Sequence, residues 1–158
     1  MFYAILKTIH LLSIIVWIGG MVFAHFFLRP AVAMLEAPER VRLMHAVLGR
    51  FFNAVLVAGG LVLGSGLWMM GRIAKQTVQA GGKFNLPLEW MVMAALGVAM
   101  LTIFGYTRFA LYPRLKRAVT ATAWPEGNAA LASIRVWVMV NLAIGVVIVA
   151  VTLLGASI

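Results

Sequence analysis

The chain has 158 residues, 64% of them apolar, with four acidic residues, thirteen Lys and Arg, a formal net charge of +9 and no cysteine. A mean hydropathy of +1.03 lies far outside the range of a soluble domain. Composition excludes disulfides and thiolate chemistry. The basic residues flank apolar segments, so the charge speaks for a bilayer and against nucleic acid.

Four apolar stretches, at about residues 2–28, 43–71, 86–112 and 129–157, each exceed the ~20 residues that cross a bilayer as helix. Backbone groups in lipid must be satisfied internally, and period-two alternation is absent. The predicted fold is all-α: one domain over 1–158, an integral membrane bundle of four transmembrane helices. No connection is long enough for a folded extramembrane domain, so any chemistry belongs within the bundle or at its edge.

The first segment reads KTIHLLSIIVWIGGM from Lys7. Ala31-Val32-Ala33 resembles a small-residue cleavage site, but the apolar run is too long for a signal peptide and Arg29 and Pro30 interrupt it. A retained helix ending before Pro30 is expected. Hydrocarbon solvates imidazole poorly, so His10 marks a candidate site. Lys7, one turn above, either snorkels to the outer interface or pairs with an anionic group such as a propionate. Trp17 lies two turns below on the same face. His25 is about 22 Å deeper along the axis, too far to share an ion with His10.

Glu36, Pro38 and Glu39 mark the first connection, and the helical spacing after Pro38 predicts that the second helix extends into the interface. His45 there reaches the level of His25, and both histidines are read as structural residues near interfacial water. Gly60 and Gly64 form a G-x-x-x-G pattern, a predicted groove for Gly19 and Gly20. The outer connection, about 72–85, carries Gly81, Gly82 and Lys83, and Lys83 has the same two readings as Lys7. The third helix follows Pro87 with Glu89, Trp90, Met91 and Met93, and is expected to stop near Pro113. Glu89 would neutralise a lysine or favour the helix N-terminus. Pro125–Asn128 reads as a turn before the last helix, where Asn141 is expected to make an interhelical hydrogen bond.

The first and third connections with their flanks hold nine basic residues, against four on the N-terminal and second outer segments. The first and third connections therefore face the cytoplasm, which puts both termini on the outer side, the periplasm in a Gram-negative cell. The expected location is the bacterial inner membrane, multi-pass.

Met69, Met70, Met91 and Met93 come to about the depth of His10. Thioether and imidazole suit Cu(I), and a His/Met pair is also an axial set for haem iron. Each methionine taken singly is an ordinary filler of apolar gaps. No Ser-His-Asp set, paired carboxylate, phosphate-binding glycine loop or mid-membrane acid is present, so neither hydrolysis, group transfer nor a carboxylate proton relay has support.

The segment LKTIHLLSIIVWIGGMVFAHFFLRPA resembles the opening of the CopD-type copper-resistance membrane proteins. Their pattern is a helix-1 histidine, a W-x-G-G step and an L-R-P-type exit, matched by His10, Trp17, Gly19 and Gly20. FGYTRFALYPRLKRAV and SIRVWVMVNLAIGVVIV are similar in character. Distantly similar are the HemJ-like protoporphyrinogen oxidases, four-helix proteins with a helix-1 histidine that bind haem b. Many relatives carry a histidine at the start of helix 3, where this chain has Glu89, Trp90 and Met91.

The resemblance implies copper handling: Cu(I) held at the outer side by His10 with Met91 and Met69 or Met93, and passed inward. A periplasmic copper-binding protein or a second copy of the chain would be its partner. The alternative is a haem b redox protein or oxidase, with His10 axial and Lys7 or Lys83 near the propionates. A third reading is a cofactor-free partner subunit.

Overall fold

This computed structural model describes residues 1–82 and 88–155, the burial of Glu89 and Gly155 excepted, and helix occupies the described part of all four apolar stretches. Helix α1 covers Phe2–Val32 and α2 covers Ala37–Gln79. Helix α3 opens as Leu88–Tyr106 and runs on to Thr120, and α4 covers Trp124–Gly155. All four are long and apolar enough to cross a membrane.

The helices overrun the expected boundaries for identifiable reasons. Helix α2 has 43 residues, about 65 Å of rise against a hydrocarbon core of ~30 Å. Its start confirms the extension read after Pro38. Its end does not fall at Arg72, because nothing between Gly71 and Gln79 opposes helix. The stop comes where Gly81 takes φ +80 and the Gly82 and Gly81 N–H groups donate to the Thr77 and Val78 carbonyls. Thr122 (φ 54) ends α3 with the same pattern, Ala123 N–H donating to Ala118 and Thr122 N–H to Val119. Residues 125–128, read as a turn, are the first turn of α4. Proline is favoured there because its missing N–H would have no partner, and Glu126 faces the positive end of the helix.

Pro30 and Pro113 do not terminate their helices. Each is preceded by a π turn, Phe23–Leu28 in α1 and Thr107–Leu111 in α3. Arg29 N–H donates to Ala24 and Tyr112 N–H to Thr107, five residues back in both cases. The widened turn shifts the hydrogen-bond register just before a residue with no N–H to contribute. Phe26–Pro30 and Phe109–Pro113 share the pattern F-x-L-x-P, and Pro38-Glu39 and Pro125-Glu126 open the helices that follow. The chain is thus two helical hairpins of related design, α1–α2 and α3–α4. They pack side by side, with α4 also touching α1 and α2.

Most of the apolar surface faces outward: Ile15, Phe27, Val57 and Leu67 are all more than half exposed. In lipid this arrangement carries no penalty, and cohesion comes from close packing within the bundle. The core is Trp17, Met21, Phe52, Val55, Met100, Phe104 and Leu142. Edge-to-face contacts tie Phe104 to Trp17 (5.7 Å) and to Phe52 (5.9 Å).

Small residues decide how close α1 and α2 approach, but not the pair expected. A Cβ at Gly60 or Gly64 would meet nothing within 4 Å, and Gly19 is equally open. The contact runs through the neighbouring stripe: Gly59 lies under the Trp17 ring, and Gly66 under the His10 ring. Each pair is seven residues apart on its helix, so two rings on α1 seat on two glycines of antiparallel α2. Gly20 does serve a close approach, against Phe51. Asn141 is buried without the expected hydrogen bond. Its Oδ1 meets no donor, being lodged among Trp17, Met21, Phe52 and Phe104, while the nearby Thr107 hydroxyl donates to Ile103.

A leucine at Gly59 would collide with Trp17 and Leu101, with an expected loss of about 1–3 kcal/mol. Gly60→Leu faces open space and is expected to stay within about 0.5 kcal/mol. Thermal unfolding of the two variants in detergent checks the contrast.

Candidate functional site

His10 sits on the α1 face that meets α2. Its Nδ1 is 2.9 Å from the Ser65 hydroxyl oxygen. That hydroxyl also lies against the Leu61 carbonyl one turn back, which has only lone pairs to offer. The Ser65 proton is therefore committed to Leu61, and the serine oxygen accepts from His10 Nδ1–H. With the proton on Nδ1, the lone pair is on Nε2. No residue among those described hydrogen-bonds Nε2. Ser65 is buried, and the ring rests on Gly66, with a Cβ position there 3.4 Å from His10 Cε1. The imidazole is thereby held between Ser65 and Gly66, and an Nδ1–H donated to the serine oxygen is the arrangement by which proteins prepare a metal-ligating histidine.

An apolar cavity of about 180 Å³ adjoins the ring, between all four helices. Met70 of α2 and Met93 and Met100 of α3 line it, with Gly97 and Gly145 giving room on α3 and α4. Trp17 closes it on the side toward the π turns, continued by Phe104 and Phe52. Thioethers on flexible stems and an imidazole lining one cavity make a soft donor set.

Of the residues singled out from the sequence, His10, Trp17, Met70 and Met93 are brought together here. Met91 is not among them: it is half exposed on the outward surface of α3 and does not line the cavity. Two positions along a helix turn a side chain by about 200°, so sharing a depth with His10 did not make Met91 its neighbour. Met69 also lies off the cavity, and Lys7 is exposed and does not line it. Lys83 lies outside the described residues. His25 and His45 do not approach one another: His25 faces a pocket between α1, α2 and α4, and His45 a cleft between α2 and α3. His45 stacks on Tyr112 at 5.3 Å, and its Nε2 is buried without a partner. It is less open to water than its interfacial position suggested.

Sequence reasoning missed Ser65, Gly66 and Met100. A polar residue beside a glycine in the middle of an apolar helix was the available signal for the first two. For Met100 the signal was the internal repeat: Trp17 and Met100 each stand thirteen residues, and His10 and Met93 each twenty, before the proline of the F-x-L-x-P pattern. Among the described residues no group of three or more His, Cys, Asp or Glu is placed to hold a metal, so a metal here would rest on one histidine and sulfur.

Residues 45–154 match the family profile described as copper resistance protein D, CopD. The match covers α3 and nearly all of α2 and α4, whereas the resemblance read from the sequence was most specific on α1. No curated protein and no solved structure matches the chain.

Removing the Ser65 hydroxyl leaves His10 Nδ1–H unpaired. Ser65→Ala is expected to cost about 0.5–1.5 kcal/mol of stability. In nitrogen-15 spectra of histidine-labelled protein, the single Nδ1–H tautomer of His10 is expected to give way to a mixture.

Proposed function

The chain belongs to the copper resistance protein D family, a multi-pass membrane protein, and we propose that it binds Cu(I) as cargo in the cavity beside His10. His10 Nε2 and the thioethers of Met93 and Met70 are the ligands, with Met100 at the inner edge. The observation that carries this reading is an imidazole tied to Ser65 through Nδ1 in an apolar cavity that methionine side chains also line. A low-charge soft ion loses little by leaving water for such donors, whereas a hard divalent ion would find no carboxylate.

The cavity volume supports an ion over a macrocycle. About 180 Å³ falls below the ~300–1,000 Å³ of sites for organic ligands, and the flanking helices are packed. In the proposed cycle Cu(I) enters from the outer side, on which the basic-residue count places the termini. Inward passage requires the layer of Trp17, Phe104 and Phe52 to part. Trp17 therefore acts as a floor, and Ser65 positions the histidine.

Competition with a Cu(I)-selective chelator tests the site on purified protein. His10→Ala is expected to lower affinity more than any other single substitution, and Ser65→Ala about tenfold through loss of ring orientation. Met93→Leu and Met70→Leu weaken binding, while Met91→Leu and His25→Ala leave it unchanged. Equal losses in His25→Ala and His10→Ala would sink the assignment. A Soret band in the purified protein that disappears in His10→Ala would replace copper by haem.

A further inference from the structure

At the opposite end of the bundle from His10, a pocket of about 300 Å³ opens between α1, α2 and α4. Its rim carries four nitrogen bases: His25 and Arg29 from α1, Arg40 from α2 and Arg135 from α4. No acidic residue lines it among those described. Three guanidinium groups converging from three helices repel one another, and with no carboxylate in the described lining an anion would offset that repulsion. The floor is of opposite character, with Leu48 and Ile134 fully buried and Leu131 and Val138 above them.

The cationic rim is partly set in place. Arg40 Nη2 donates to Asn128 Oδ1 at 3.2 Å, and Nη1 reaches the Leu35 carbonyl at 3.5 Å. The guanidinium is thereby tied across the mouth between the α1–α2 connection and the start of α4. The π turn of α1 supplies the facing wall, carrying Ala24 and His25 and delivering Arg29 one residue beyond its end.

We propose that this pocket binds a phosphate group carried by an anionic lipid. Guanidinium groups match phosphate oxygens in pairs and hold their charge in every condition a cell offers. The volume is at the lower end of small-ligand sites, room for a headgroup and not for a whole lipid. An apolar floor beneath a cationic rim fits an amphiphile whose glycerol and first methylenes continue inward from the phosphate. The position at helix ends, beside surface that lipid covers, places it at headgroup level. Ala132, Ala24 and Ala33 keep the walls low enough for chains to leave sideways.

The proposal is independent of the copper site and is tested separately. Full-length protein in a neutral detergent is titrated with phosphatidylglycerol, phosphatidylcholine and inorganic phosphate, with bound species counted by native mass spectrometry. Phosphatidylglycerol is expected to bind and phosphatidylcholine not. Arg29→Gln with Arg135→Gln is expected to weaken phosphatidylglycerol at least about tenfold, the loss of two charge-assisted contacts. Arg50→Gln with Lys116→Gln, equal in charge and at the same end but lining the neighbouring cleft, is expected to change it less than about twofold. His10→Ala is expected to have no effect.

Inorganic phosphate competing at similar affinity, with the same dependence on Arg29 and Arg135, would support the phosphate site and make its source a soluble anion. Equal losses in the two charge-matched pairs, or phosphatidylcholine binding as tightly as phosphatidylglycerol, would overturn it. Should the double variant unfold, Asn128→Ala removes only the tie on Arg40 and is expected to weaken binding a few-fold, and no change in that variant would likewise count against the proposal.

Discussion

The close approach of α1 to α2 is the constraint on which the rest of the molecule depends. Two rings, His10 and Trp17, lie against two glycines, Gly66 and Gly59, spaced by the same seven residues. Helices in lipid gain nothing from burying apolar surface as such, so shape complementarity of this kind is what holds them. The seam does two things at once. It brings His10 within 2.9 Å of Ser65, and it sets Trp17 where Phe104 can meet it edge-on from α3. A seam one turn out of register would seat the two rings against larger residues, Val62 or Met70 and Val55 or Leu63, and would take His10 away from Ser65.

From that contact the bundle divides into two ends of different chemistry. Toward the His10 end the interior is a soft, apolar cavity lined by thioethers, small residues and one imidazole, while Lys7, Arg72 and Lys75 stay on the surface. The other end is cationic, with Arg29, Arg40 and Arg135 around one pocket and Arg50, Arg108 and Lys116 around a second cleft. A chain of aromatic rings runs from one to the other: Trp17, Phe104, Phe52 and Tyr112 follow one another edge-to-face at 5.5–5.9 Å, Tyr112 already lining the cationic cleft. The two π turns lie toward the cationic end, in corresponding places on α1 and α3, and let both helices pass a proline without stopping.

That correspondence is a property of the fold that bears on function. The two hairpins share a local grammar, with F-x-L-x-P late in the first helix and Pro-Glu opening the second. Measured from those prolines, His10 and Met93 are equivalent positions, and both face the central cavity. The proposed metal site is therefore where two equivalent positions meet, occupied in one hairpin by imidazole and in the other by thioether. Trp17 and Met100 are likewise equivalent, and both line the cavity.

The sequence by itself determined the class, the number of spans, the CopD resemblance, the asymmetry of charge and the importance of His10. These follow from quantities additive along the chain: hydropathy over a helix length, basic residues per connection, and the cost of one imidazole in hydrocarbon. Boundaries were legible only where a residue forces them. Proline and aligned charges were read as stops, and a π turn or a favourable first turn carried the helix through them. The partners of His10 were not legible. Depth along an axis places Met69, Met70, Met91 and Met93 alike, but rotation about that axis decides which of them turn inward. Rotation is fixed by packing against neighbouring helices. Only the tertiary structure could choose Gly59 and Gly66 over Gly60 and Gly64, supply Ser65, bring Met93 and Met70 to the cavity, and send Met91 to the outer surface.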